Sequence, residues 1–129
     1  MTPENRRVNA GEELALASEA LGDAETLFRE EKLRGAISRG YYALLHGVRA
    51  LLVARGLEAR THQGAETLFH QHYLRTKDID AEWGAVFARM QSYRERADYG
   101  PPIEFTTPQV RRELDGIARF LTIAKDRIG

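Results

Sequence analysis

The stretch SRGYYALLHGVRALL, residues 38–52, decides the fold. Tyr41, Leu44, Leu45, Val48, Leu51 and Leu52 recur at intervals of three and four, the spacing of a single helix face. Carried back to Leu33 and Ile37, this stripe covers roughly one third of the circumference at about 100° per residue. The other side is not an ordinary solvated face. Arg39, Tyr42 and His46 fall together on it, at spacings that let their side chains touch, and Arg49 follows within the same helix. Gly35 lies near this face, and Gly40 and Gly47 flank it. Each interior glycine costs about 1 kcal/mol relative to Ala, which is easiest to understand if another backbone or a ligand comes close. Three readings of the polar face stay open: solvated surface, subunit interface and ligand-binding surface.

Working outward, residues 1–9 are polar, contain Pro3 and show no periodicity, so they are expected to form a flexible tail before a single domain over residues 10–129. A first amphipathic helix is predicted from about Gly11 to Glu30, on Leu14, Ala17, Leu21, Ala24, Leu27 and Phe28. The second spans about Lys32 to Arg55 and is stopped by Gly56. Thr61 is placed to cap a third, His62 to Leu74. A fourth, about Asp80 to Asp98, carries Trp83, Val86, Phe87, Met90 and Ala97, and Gly100-Pro101-Pro102 ends it. Ile103–Thr106 reads as a short extended link. Thr107 then caps, and Pro108 opens, a last helix to about Ile128. No strand-like alternation occurs, so the expected fold is all-α, an antiparallel up-and-down bundle of four to five helices.

Composition narrows the function. The 129 residues hold 19 basic and 19 acidic side chains, so whole-molecule charge draws the protein to neither nucleic acid nor membrane. With no cysteine there can be no disulfide, thiolate metal site or thiol nucleophile. Nothing resembles a membrane span or a secretory signal, and a cytoplasmic protein is expected. Arg94 is the second anomaly, because it falls within the apolar stripe of the fourth helix. An unpaired buried guanidinium is costly, so it must either pair, with Asp98 one turn on, or look into a groove that receives an anion such as phosphate. His62 is assigned to the first turn of the third helix beside its cap. His70 and His72 are two apart and point away from each other, and Glu66 with His70 makes only two ligands, so no metal or other cofactor is expected.

SRGYYALLHGVRALL, THQGAETLF at 61–69, YRERADYG at 93–100 and EFTTPQV at 104–110 together resemble the HEPN-domain family, in its branch of small single-domain bacterial and archaeal proteins. The resemblance covers essentially residues 12–128. It implies a helical bundle that pairs into a homodimer, and often a small nucleotidyltransferase partner that in some pairs adenylylates a tyrosine near the signature histidine; here that would be Tyr99. Many members are metal-independent RNases whose signature is Arg, four to six residues, then His. This chain departs from that pattern. Five to seven positions after Arg94 stand Tyr99, Gly100 and Pro101, and no histidine follows His72. If Asp98-Tyr99 is matched to the end of the signature instead, Ala97 and Ser92 occupy the His and Arg positions.

Three functions follow. The chain is expected to be the nucleotide-, RNA- or nucleotidyltransferase-binding component of a toxin–antitoxin or defence-like module, binding through Arg39, Tyr42, Arg49, Asp98 and Tyr99, with a degenerate RNase motif. One alternative is a metal-independent RNase toxin with a rewired site of Arg94, His46 and Tyr99, His46 serving as the relocated base. The other is a non-enzymatic homodimeric scaffold in which Tyr42 and the glycines are dimer packing.

Overall fold

The structure, a computed structural model, describes residues 1–100 and 104–129. It contains five α-helices: α1 (Pro3–Arg29), α2 (Leu33–Ala54), α3 (His62–Phe69), α4 (Glu82–Tyr99) and α5 (Thr107–Ile128). A single π-helical turn, His70–Leu74, continues α3. Among the described residues there is no strand, and the all-α bundle stands as expected.

Helix α1 starts eight residues earlier than its apolar periodicity predicts. Thr2 accepts a hydrogen bond from the Asn5 amide, Pro3 opens the helix and Glu4 lies in the first turn, so residues expected to be a tail are helical. The Arg6 guanidinium lies against Gly56, where a Cβ would come within 2.9 Å of it. Gly56 has φ +76°, the left-handed conformation that ends α2. The start of α1 therefore meets the end of α2, and the two helices run antiparallel.

Helix α2 is the centre of the bundle. Its stripe of Ile37, Tyr41, Leu44, Val48, Leu51 and Leu52 is buried, and Phe69, Phe87, Met90, Leu114, Ile117 and Phe120 complete the core. The glycines of α2 have a packing cause. A Cβ on Gly40 would lie 2.8 Å from Leu114 Cδ2, and one on Gly47 would lie 2.7 Å from Leu121 Cδ2 and 3.1 Å from the Phe120 ring. On Gly35 it would meet Leu27 at 3.2 Å. What comes close is side chains of α5 and α1 rather than a backbone or a ligand. The pairings 40 with 114 and 47 with 121 also show that α2 and α5 pack directly against each other and run parallel.

Helix α4 returns antiparallel to α2, with Gly100 at its end; Pro101 and Pro102, expected to stop it, lie outside the described residues. The cap of α5 is Thr106, one residue before the expected Thr107. Thr106 accepts from the Gln109 amide while the Gln109 side chain accepts from the Thr106 amide, a reciprocal capping box that puts Pro108 in the first turn. A bidentate ion pair, Arg89 to Glu113 at 2.7 Å for both bonds, ties α4 to α5.

Candidate anion site at the end of helix α4

Three elements converge on Tyr41. The helical period turns this residue inward, leaving it 2% exposed. Its hydroxyl meets Nδ1 of His62 at 2.8 Å. Thr61 caps α3 by accepting from the Gly64 amide, and this fixes where α3 starts and so where His62 stands. The imidazole also packs on Phe87 of α4, with ring centroids 4.4 Å apart. Its other nitrogen, Nε2, is 3.8 Å from a Glu66 carboxylate oxygen.

Arg94 comes from α4 to the face of the same tyrosine. Its Cζ lies 5.2 Å from the Tyr41 ring centre and 6.0 Å from that of Tyr99, within cation–π range. The side chain is only 15% exposed. For a group so covered it is poorly satisfied: Nη2 donates to Gln91 Oε1 at 3.2 Å, and Nη1 stands 3.6 Å from Asp98 Oδ2. Nε is buried and, among the described residues, has no hydrogen-bond partner. The Arg94–Asp98 pairing expected from the sequence is present but long, and it leaves donors of the guanidinium unused.

The end of α4 is held from α2. Arg34 donates through Nε and Nη2 to the Ala97 carbonyl, at 3.2 and 2.6 Å, and through Nη2 to that of Arg96 at 3.3 Å. A cation on the last carbonyls of a helix also complements its dipole. The turn carrying Asp98 and Tyr99 is thus fixed, while Tyr99 itself is 80% exposed.

Electrostatics follow from burial. Desolvation pushes the Tyr41 phenol up to about 12, so it keeps its proton. Desolvation also lowers the pKa of His62, with Arg94 acting in the same direction and Glu66 opposing, so the imidazole is neutral at physiological pH.

The residues singled out in the sequence divide into two groups. Arg94, Asp98 and Tyr99 are together. Arg39 stacks over Tyr42, with Cζ 5.4 Å from its ring, and Tyr42 meets Tyr41 edge-on at 5.2 Å, which places both beside the Arg94 site. His46 is engaged elsewhere: its Nδ1 is 2.6 Å from Glu13 Oε2 on α1. Arg49 reaches the Arg60 carbonyl at 3.4 Å and lines, with Glu13, Glu58 and Arg60, an open cleft of about 500 Å³. The histidine that shares Tyr41 with Arg94 is His62. The sequence ties His62 only to the Thr61 cap, and its periodicity gives no sign of the part Arg34 plays. Among the described residues no three His, Asp or Glu side chains gather closely enough to hold a metal ion.

Comparison with known proteins adds the lineage. The HEPN domain matches residues 12–127. The chain belongs to the HEPN-domain family. A UPF0332 protein of Thermotoga maritima is 38% identical over 105 residues, covering 81% of this chain and 80% of the relative. A Gloeobacter violaceus UPF0332 protein is 29% identical over 127 residues, 98% of this chain and 97% of the relative. A Methanocaldococcus jannaschii protein bearing the name "Putative toxin" is 30% identical over 86 residues, 67% of this chain and 64% of its own length. A second of that name is 31% identical over 88 residues, 68% and 60% of the two chains. No helix among the described residues is long and apolar enough to cross a membrane.

Proposed function

We propose that this HEPN-domain protein is the nucleotide- or RNA-binding component of a toxin–antitoxin or defence-like module, and that it binds phosphate through Arg94. The observation that carries this reading is the state of that guanidinium, covered to 15% exposure and held over Tyr41, with its Nη groups, among the described residues, meeting only Gln91 at 3.2 Å and Asp98 at a long 3.6 Å. A fixed, incompletely bonded arginine suits an incoming phosphate, whose oxygens accept from two of its N–H groups at once. Tyr99 and Tyr42 with Arg39 place aromatic rings and a second cation beside it, the pairing used for single-stranded nucleic acid. Relatives named "Putative toxin" support the module. The resemblance to paired HEPN proteins supports a homodimer with a nucleotidyltransferase partner.

Binding is favoured over cleavage. No histidine follows Arg94 in the sequence, and the histidine that shares Tyr41 with Arg94 is His62 rather than His46, which is held by Glu13 on α1. Loss of a positioned acid–base group reduces rate by roughly 10²–10⁴-fold.

The test is fluorescence anisotropy of a labelled single-stranded oligoribonucleotide, with cleavage followed in the same samples in EDTA. Wild type should bind without cutting. Arg94→Ala should abolish binding, and Arg94→Lys, which keeps the charge and loses the planar fork, should recover little of it. Equal binding by wild type and Arg94→Ala would overturn the proposal; metal-free cleavage lost in His46→Ala would establish the RNase.

A further inference from the structure

A second hydrogen-bond donor stands at the hydroxyl end of Tyr41, opposite in role to the ring face that seats Arg94. Among the described residues the Tyr41 hydroxyl has one partner, His62 Nδ1 at 2.8 Å. A phenol can donate to Nδ1 or accept from it; the Glu66 carboxylate facing Nε2 at 3.8 Å favours the imidazole hydrogen on that nitrogen, so the Tyr41 hydroxyl donates and Nδ1 accepts. A neutral imidazole carries one hydrogen, and with Nδ1 accepting, that hydrogen is on Nε2. Nε2 faces the Glu66 carboxylate across 3.8 Å, beyond hydrogen-bond reach, and the His62 side chain is 17% exposed. The ring cannot turn freely, because Phe87 packs on it at 4.4 Å. What results is a single N–H, fixed in direction, accessible, and held, among the described residues, only by a long 3.8 Å approach to Glu66.

We propose that the Nε2–H of His62 is the second donor of the Arg94 site, giving one hydrogen bond to a phosphate oxygen of a bound nucleotide or RNA strand. This rests on the reading of Arg94 as the anion-binding residue and adds the group that makes the site two-sided. It also accounts for binding without cleavage. In-line attack by a ribose 2′-hydroxyl requires a base to take its proton. In His62, Nδ1 is already filled by the Tyr41 proton and Nε2 already bears a hydrogen, so the ring is set to give a hydrogen bond rather than to receive a proton.

The charged groups that face His62 are Glu66 on its own helix and Arg94 and Glu95 on α4; the titratable Tyr41 on α2, which keeps its proton, faces Nδ1. Glu66 competes for the same N–H and repels an arriving anion. Removing its charge should therefore tighten binding.

The experiment is nitrogen-15 NMR of the imidazoles in the full chain near neutral pH, with and without a short oligoribonucleotide, and with pyrophosphate as a bare anion. His62 should be neutral and protonated at Nε2, and ligand should move its Nε2 resonance. His62→Ala should weaken binding about tenfold, the loss of one hydrogen bond to a charged group. His62→Gln, which keeps a side-chain N–H, should stay close to wild type, and Glu66→Gln should bind more tightly. A hydrogen on Nδ1, or a ligand that binds through Arg94 while His62 Nε2 is unmoved, would overturn the proposal alone. Absence of binding by both probes to wild type would overturn the Arg94 reading and this one together.

Discussion

The Arg34 guanidinium on α2 closes over the carbonyl oxygen of Ala97 on α4, with Nη2 at 2.6 Å and Nε at 3.2 Å. Sixty-three residues separate the two in the chain, yet their contact fixes the turn from which Asp98 and Tyr99 project. Arg34→Ala should lower stability by about 1–3 kcal/mol, the range for losing hydrogen bonds from a charged group. Urea unfolding measures that loss. Hydrogen exchange should show faster exchange of the Tyr99 and Gly100 amides, with Arg34→Lys restoring part of the protection.

The glycines of α2 and α1 should respond with opposite signs. At Gly11 and Gly22 no atom lies within 4 Å of where an added methyl would sit, so Gly→Ala at either should stabilise by about 0.5–1 kcal/mol. Gly47→Ala gains the same propensity but drives its methyl into Leu121 and Phe120, and overpacking of this kind costs about 1–3 kcal/mol. Thermal melts should place Gly11→Ala above wild type and Gly47→Ala below it. A melting point for Gly47→Ala above wild type would mean that α5 yields more readily than its packing suggests.

Glu113 is the buried carboxylate of the core, 6% exposed, and Arg89 is its bidentate partner. Arg89→Ala strands that charge. Breaking a fully buried pair costs about 3–5 kcal/mol, and the loss here should be smaller because Arg89 is itself 42% exposed and screened by water. The double change Arg89→Met with Glu113→Leu should recover most of it, since apolar packing replaces the pair without leaving an ion behind. Chemical denaturation of wild type and these two variants decides the matter.

His62 makes stability depend on pH. Its ordinary value is 6.5 and burial lowers it in the folded chain, so the unfolded chain takes up the proton first. Above that value both states are neutral and the group contributes no pH dependence. As pH falls below it, stability declines, until the folded state protonates as well and the decline ends. Wild type should therefore lose more stability than His62→Gln between about pH 7.5 and about pH 5.5. Equal losses in the two proteins would show that His62 is as easily protonated folded as unfolded.

Much of the fold was legible because local chemistry and periodicity agreed. The apolar stripe of α2, the Gly56 stop and the Thr61 cap all stand where the sequence puts them. Helix α1 was legible only in part. Its buried positions are Ala10, Ala17, Ala20 and Ala24, small residues that draw it against α2 and contribute little to an apolar pattern. The Thr2-Pro3-Glu4 start was nonetheless written in the sequence. So was the choice between Thr106 and Thr107, since only Thr106 has a glutamine three residues later to complete the capping box. The candidate site was half legible. Arg94 betrayed itself as a charge on an apolar stripe, and no helix wheel could pair it with His62, because the two meet only through Tyr41 on a third element. The same limit explains His46, whose Glu13 partner stands on another helix.

The π-helical turn at His70–Leu74 has its own consequence. The Arg55 guanidinium grips the His72 carbonyl and the Tyr73 hydroxyl donates to the Leu51 carbonyl, so the widened turn is pinned to α2 rather than left to relax. A π turn is an α-helix with one residue too many. The chain therefore carries a spare position between Phe69 and Tyr73, and this is where a one-residue deletion would be absorbed as a regular helix at the least expense to the flanking elements.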